Sequence, residues 1–296
     1  MGKNFHLSGI VPIAGFESNF NFPWHDCMQP IASNYLAVEH AVIECAYAGC
    51  ETIWVVCNDD MQPLIRHRLG DFVQDPVWIN RGHEKYPKEH RKQIPIFYVP
   101  IHPRDYGKRD CYAWSILYGA VTAWRISKII SKWVVPKKYY VSFPYGMYDP
   151  EIIRDYRTVI SSEKNFYLSY NGKTFKDGEY LGFSFGEGEY KQFRDIIRAG
   201  TGELVPGTFD FEKKEREYLP IEERHSAKHF SLDKVFKNAI IDIAVGAEVP
   251  WFYPIDNWEN LVAFLGSEER KIIKRPHKAL MSYKELNPIG VDNEEE

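Results

Sequence analysis

Apolar and polar positions fall in blocks along this chain of 296 residues. Leu7-Ser-Gly-Ile-Val-Pro-Ile-Ala14 is an almost unbroken apolar run of strand length, and Glu51-Thr-Ile-Trp-Val-Val-Cys57 is a second. Between them Gly15 to Ala32 reads as a loop and Ser33 to Gly49 carries helical spacing. The pattern therefore predicts strand, loop, helix, strand, closing on Asn58-Asp59-Asp60. Met61 to Val73 predicts a further helix, with Leu64, Ile65, Leu69 and Phe72 near a 3–4 spacing. Asp75 to Gln93 is polar, holds Arg81, His83, Lys85, Lys88, His90, Arg91 and Lys92, and reads as a solvated surface loop, with a phosphate-contacting patch as the less favoured alternative. Ile94 to Ile101 is a third strand, whose Pro95 and Pro100 suit an edge or the strand ends. A loop from His102 to Arg109 leads into a long helix from Asp110, a suitable N-cap, to about Trp133. Trp114, Leu117, Tyr118, Val121 and Trp124 form its apolar stripe. Lys137 to Phe143 is a fourth strand, and Pro150 opens a helix over Glu151 to Ile160.

The second half changes character. Asn165–Tyr170 and Tyr180–Phe185 read as strands around a hairpin turn at Gly172–Gly178, and Glu187–Ala199 as a helix stopped by Gly200-Thr-Gly202. Asp210 to Arg224 is a charged connector or exposed helix, and Phe230 to Val245 has helical spacing with Ser231 as cap. Val249 to Asp256 is extended, and Asp256 or Asn257 caps a helix from Trp258 to Leu265. The expected fold is α/β, a three-layer doubly wound mixed sheet with α+β additions in the C-terminal half. One domain over residues 1–270 is expected, divided at 162/163, followed by a tail over 271–296 that frays at its acidic end.

Charge narrows the function classes. A formal net charge of -4 argues against a general nucleic-acid or membrane-surface binder. No apolar run reaches bilayer-spanning length, and the first residues lack the apolar core of a signal peptide. The five cysteines, at positions 27, 45, 50, 57 and 111, form no CxxC pair and suit a reducing cytoplasm. Aromatic content is the unusual total, with 8 Trp, 19 Tyr and 18 Phe. A thick core, stacking surfaces or a protein partner's interface would each use them.

Several stretches carry a resemblance. Gln29-Pro30-Ile31 in the first loop, Glu39-His40 in the next helix and Ala48-Gly49 before the second strand are similar to the opening of the sugar-1-phosphate nucleotidylyltransferases. Asp105-Tyr-Gly107 resembles that family's base-recognition segment, and Tyr139–Phe143 its strand bearing the first metal site. Leu181-Gly-Phe-Ser-Phe185 resembles the sugar side, and Phe252-Tyr-Pro-Ile-Asp-Asn-Trp-Glu259 the segment with the second metal-binding Asp. The resemblance runs from about residue 7 to 270 and is one of order and pattern. It implies a nucleotide-diphospho-sugar transferase-like, Rossmann-like fold. It also implies transfer of a nucleotidyl group from an NTP to a sugar 1-phosphate, with Mg²⁺ as cofactor. On that basis Asp256 and Asp149 are the expected metal ligands, and Arg104, Lys108 and Arg109 the phosphate-directed catalytic cations. Gly15, Gln29, Asp105, Tyr106 and Gly107 are the expected nucleotide contacts.

The same stretches depart from what that chemistry needs. Backbone N–H groups of a glycine-rich loop and a nearby cation must meet the triphosphate. Gly15 to Pro30 holds one glycine, no Lys or Arg, and Glu17 and Asp26 instead. Gln29 stands where the family has Lys before Pro, and Pro144-Tyr145-Gly146 where Gly-Asp is expected. Cys111-Tyr-Ala-Trp114 replaces the small residues that leave room for a base. Losing both cations and a metal ligand removes enough transition-state stabilisation to abolish ordinary turnover. A non-catalytic relative, binding a protein partner through its aromatic surface, is therefore the alternative to an enzyme. Glycosyl transfer from a nucleotide-sugar is a third reading and wants an Asp-x-Asp motif; Asp59-Asp60 is as near as the first half comes. Phe20, Phe22 and Trp24 stack a base or plug the cleft, and plugging fits the missing glycines better. His25-Asp26-Cys27 reads as a hydrogen-bonded loop rather than a metal site, and His225 and His229 as a solvated or partner-facing pair.

Overall fold

A computed structural model describes residues 6–16, 20, 22, 24–80, 92–105, 109, 111–130, 135–200, 204–210, 215–218, 231–237, 244–276 and 279–280. Its main sheet takes in β1 (Leu7–Pro12), β2 (Thr52–Cys57), β3 (Phe72–Gln74), β4 (Gln93–Pro100) and β5 (Lys138–Val141). β6 (Asn165–Tyr170), β7 (Lys173–Thr174), β8 (Phe183–Phe185) and β9 (Ala244–Glu248) complete it. The spatial order is β7-β6-β8-β5-β1-β2-β4-β3, with β9 beside β6. The β5-β1-β2-β4 centre is parallel, while β3, β7 and β8 run antiparallel to their neighbours. Ile10 of β1 lies opposite Trp54 on one side and Val141 on the other. The chain leaves β1 for β2 and β4, then returns across β1 to β5, so the strand order reverses there. In a parallel sheet the ligand crevice lies beyond the strand carboxyl ends at such a point.

Helices cover both faces. Gly9 faces Cys45 of α1 (Ala37–Tyr47), while the next residue, Ile10, faces Gly119 of α4 (Tyr112–Ile130) on the opposite face. All residues of α1 are buried, including Glu39, His40 and Glu44. A buried carboxylate is costly unless paired, and Glu39 meets Arg68 at 2.8 Å and Arg275 at 3.3 Å. Glu39 also accepts from the Leu36 N–H at 2.9 Å and so closes the start of its own helix. α6 (Glu187–Gly200) packs beside α4. The helices α2 (Gln62–Leu69), α3 (Pro76–Asn80), α5 (Ile153–Ile160), α7 (Leu232–Phe236) and α8 (Trp258–Leu265) complete the set. Among the described residues no helix is long and apolar enough to cross a membrane. The three-layer mixed α/β sheet expected from the sequence is the one observed.

Several boundaries differ, each for a local reason. The Ser33–Gly49 helix begins only at Ala37, because Pro30–Ala32 and Tyr35–Leu36 pair as a small ribbon around Asn34 in the left-handed region. Phe72 and Val73 are not helical: Gly70, at φ 76°, ends α2 and releases them to pair with β4. The helix expected over Phe230–Val245 is replaced by the short α7 and by β9, which pairs parallel with β6. Tertiary pairing has overridden a helical spacing there. Described residues of the segment expected as a tail from residue 271 also pack against the domain. Arg275, Ala279 and Leu280 are buried, and the Gln74 N–H donates to the Ala279 carbonyl at 3.1 Å. Residues 281–296 lie outside the described residues, as do Asp110 and Arg81–Arg91, His225 and His229.

Candidate functional site: a filled crevice and a cationic groove

The crevice between the ends of β1 and β5 is built first by backbone. The Ile13 and Ala14 N–H groups both donate to the Val56 carbonyl, at 2.9 and 3.0 Å, and Gly15 turns the chain at φ 74°. From α4 the Tyr112 hydroxyl donates to the Pro12 carbonyl at 3.1 Å, and the Ser115 hydroxyl donates to the Ala14 carbonyl. The helix is thus tied to the first turn of the loop. Past β5, Gly146–Met147 pairs antiparallel with Tyr253–Pro254, and the Ile255 N–H donates to the Tyr145 carbonyl at 2.8 Å. Gly146 has no room for a side chain, because a Cβ there would collide with the Tyr180 carbonyl.

Aromatic rings fill the space so enclosed. Phe16 stacks on Tyr145 with centroids 3.7 Å apart and planes 11° from parallel. Tyr112 and Tyr180 close on the same pair, at 5.3 and 5.8 Å from Phe16. Phe143 meets Tyr112 at 5.7 Å beneath them. Tyr145 is fully buried, and burial raises the Tyr112, Tyr145 and Tyr180 phenols above their usual range. These rings come from, or lie next to, the stretches that the sequence resemblance assigns to the phosphate loop, base recognition, the first metal site and the sugar side. The plug expected from Phe20, Phe22 and Trp24 is made by Phe16 instead. Those three rings form a ladder, at 5.1 Å steps, that reaches Trp258 at the start of α8. Trp24 and Trp258, which both meet Phe22, are 45% and 58% exposed.

The expected metal ligands are not brought together. Asp149 accepts from the Glu151 N–H at 3.0 Å and caps the turn at Pro150. Asp256 holds the side-chain amides of Asn257 and Asn260 at 3.0 and 2.9 Å, while the Asn257 side chain caps α8. The ribbon pairs Tyr253 with Met147 and Pro254 with Gly146. Its antiparallel register therefore carries Asp256 toward the Pro144 end and Asp149 off the opposite end. Among the described residues no group of three or more His, Cys, Asp or Glu could hold a metal ion. Two carboxylates, each engaged and at opposite ends of a ribbon, do not fit a shared Mg²⁺ site. Gln29 is buried, and its amide nitrogen has no partner among the described residues. His25 accepts from the Cys27 N–H at 3.4 Å and caps a short turn, as the loop reading of this stretch expects.

The loop after β4 stands elsewhere, at one end of a groove of about 970 Å³ between α4 and α6. Arg104 is exposed there, and Asp105 accepts from the Trp114 indole at 3.2 Å. Arg109 meets Asp105 at 3.6 Å and lies over the Trp114 ring at 5.4 Å. Tyr106, Gly107 and Lys108 lie outside the described residues. The expected apolar stripe of α4 divides: Leu117 is buried in the core, while Tyr118, Val121 and Trp124, with one side of the buried Trp114, form the α4 wall of the groove. Tyr190, Lys191, Arg194 and Arg198 face them from α6, with Lys137 and Tyr139 from the start of β5. The sequence reading missed the cations of α6 because they lie about 70 residues beyond α4 and face it only through the fold.

No protein-family model matches the chain, and no curated protein matches it. Solved structures do. An apo UDP-glucose pyrophosphorylase aligns over 91% of this chain and 100% of its own, at 12% identity and TM-score 0.51. A UDP-glucose pyrophosphorylase complexed with UDP-glucose aligns over 90% and 100%, at 11% identity and TM-score 0.51. A Bacillus anthracis protein assigned as a glucose-1-phosphate thymidylyltransferase aligns over 90% and 99%, at 9% identity and TM-score 0.50. With element order, switch point and these alignments in agreement, the chain has the nucleotide-diphospho-sugar transferase-like α/β fold, the fold of these sugar-phosphate nucleotidyltransferase structures.

Proposed function

We propose that this chain is a nucleotidyltransferase-like protein that has kept the fold as a binding module and no longer transfers a nucleotidyl group to a sugar 1-phosphate. The observation that carries this reading is the Phe16–Tyr145 stack, 3.7 Å between centroids, at the switch point of the sheet. A triphosphate there would meet apolar ring faces, with no Lys or Arg in the Gly15–Pro30 loop to balance its charge. Removing even one oriented donor from an oxyanion site typically costs about 3–4 kcal/mol of transition-state stabilisation. Binding then falls to other surfaces: the aromatic ladder ending at Trp24 and Trp258 is one that a protein partner could cover.

A competing reading keeps the enzyme. The Asp256 carboxylate is close enough to Tyr180 to raise its phenol further, so one expected metal ligand does border the ring cluster. In that reading Phe16 swings out to admit an NTP and sugar phosphate. Pyrophosphate release separates the two. With Mg²⁺, each of four NTPs and a panel of hexose 1-phosphates, we expect background release from the native protein and from Phe16→Ala. Turnover that needs Mg²⁺ and disappears in Asp256→Ala would overturn the binding-module reading.

A further inference from the structure

The α4/α6 groove runs against the charge balance of the chain. Among the described residues seven Lys and Arg line it against two carboxylates, Asp105 and Glu187, in a chain of formal net charge -4. Some of these cations already have carboxylate partners: Arg109 meets Asp105 at 3.6 Å, Lys191 meets Glu187 at 2.7 Å and Arg194 meets the exposed Asp195 at 3.4 Å. Arg104, Arg125 and Lys137 have no carboxylate partner among the described residues. The Arg109 and Arg194 Nε atoms are buried and have no hydrogen-bond partner among those residues. Like charges held close across a groove repel one another, and buried guanidinium N–H groups want acceptors. Both costs are relieved by an anion with several oxygens.

Arg125 from α4 and Arg194 and Arg198 from α6 line the same groove. Arg194, Arg125 and Arg198, from two different helices, all act on the Tyr190 phenol and pull its pKa down against the larger upward effect of burial. Three guanidinium groups lining one groove match the oxygens of a phosphate chain better than a lone carboxylate. Planar groups stand beside them: Tyr190 on α6, and Trp124 on α4, 41% exposed with the Lys128 ammonium 4.7 Å from its ring centroid. A volume of about 970 Å³ is at the upper end for a small-ligand pocket and has room for a heterocycle with a phosphate chain.

We propose that the groove between α4 and α6 is a binding site for a nucleoside polyphosphate, its phosphates held by Arg125, Arg194 and Arg198 and its base against Trp124 or Tyr190. The site lies on the flank of the sheet, lined by the α4 face opposite to Tyr112 and Ser115, and does not depend on whether the crevice is closed.

Calorimetry on the full chain with inorganic tripolyphosphate and with ATP, both without Mg²⁺, tests it. Tripolyphosphate should bind, more weakly as salt rises. Arg125→Ala, at an exposed helical position that keeps the fold, should weaken binding by roughly tenfold, the scale of one charge-assisted contact. Arg194→Lys should keep part of what Arg194→Ala loses. ATP should bind roughly tenfold more tightly than tripolyphosphate through stacking, and Trp124→Leu with Tyr190→Leu should remove that advantage. No binding at millimolar ligand, or binding unmoved by the arginine substitutions, would overturn the site. Equal affinity for ATP and tripolyphosphate would overturn its assignment to a nucleotide, and a single-stranded oligonucleotide binding far more tightly than ATP would replace it with a nucleic acid. A failure of the binding-module reading would show as pyrophosphate release and leave these titrations unchanged.

Discussion

One helix serves two regions of opposite character. On one side of α4, Tyr112 and Ser115 are tied to the end of β1, and the crevice there is packed ring on ring around Phe16 and Tyr145. On another side, Trp114, Tyr118 and Arg125 look across an open groove at the cations of α6. The crevice stands where an open α/β sheet would hold a ligand, and it is apolar and full. The groove stands where the fold alone gives no reason to expect one, and it is charged and open. Topology fixes where a site can be; side-chain volume and charge decide whether it is used.

Substitutions can break or sharpen that contrast. Tyr145→Ala should have the largest effect. Emptying a fully buried aromatic position typically costs about 3–5 kcal/mol, read as a lower denaturation midpoint. A small loss would mean that the crevice can collapse or hydrate and is not a packed core.

Glu44, under the same part of the sheet, gives an effect that depends on pH. It accepts from the Tyr140 and Ser142 hydroxyls, both at 2.6 Å, and burial raises its pKa from 4.5 to about 7. The folded protein therefore holds that proton more tightly than the unfolded chain. The stabilisation is complete below pH 4.5 and is lost as the pH rises through about 7. A shift of this size corresponds to about 3 kcal/mol. Glu44→Gln should gain about that much relative to the native chain between pH 4.5 and pH 8, measured by denaturant melts at both. A pH-independent difference would show that Glu44 is ionised in the folded state.

Phe16→Ala should cost less, about 1–2 kcal/mol, because the ring is only partly buried and sits on a loop. Comparing it with Tyr145→Ala tells whether the plug is a lid or a floor: equal losses would make Phe16 as structural as the strand end beneath it. Arg125→Ala should be the smallest, within about 0.5 kcal/mol, as for most exposed sites. A measurable gain in stability would be direct evidence of repulsion among the groove cations.

The parallel core was legible because its strands are nearly continuous apolar runs and its helices carry clear spacing, as at Leu7–Pro12 and Thr52–Cys57. β3 and β9 were not, since Phe72–Gln74 and Ala244–Glu248 become strands only through partners at Gln93–Pro95 and Asn165–Ser169. The lost loop chemistry was also readable, from one glycine and no cation in Gly15–Pro30. Which ring fills the crevice was not, because Phe16, Phe20, Phe22 and Trp24 are equivalent as letters and differ only in where the turn at Gly15 points the chain. The apolar stripe on α4 was seen, but not that Tyr118, Val121 and Trp124 of it would line a groove. Spacing marks an apolar face without saying that α6 will bring arginines to it.

Where a nucleotide goes, if it is bound, separates the two regions most directly. Calorimetric titration of ATP with Mg²⁺ into the native chain, Asp256→Ala and Arg125→Ala puts both regions in one experiment. The expected result is unchanged affinity in Asp256→Ala and a roughly tenfold loss in Arg125→Ala. Binding that vanishes in Asp256→Ala and survives intact in Arg125→Ala would place the nucleotide in the crevice and contradict a filled one.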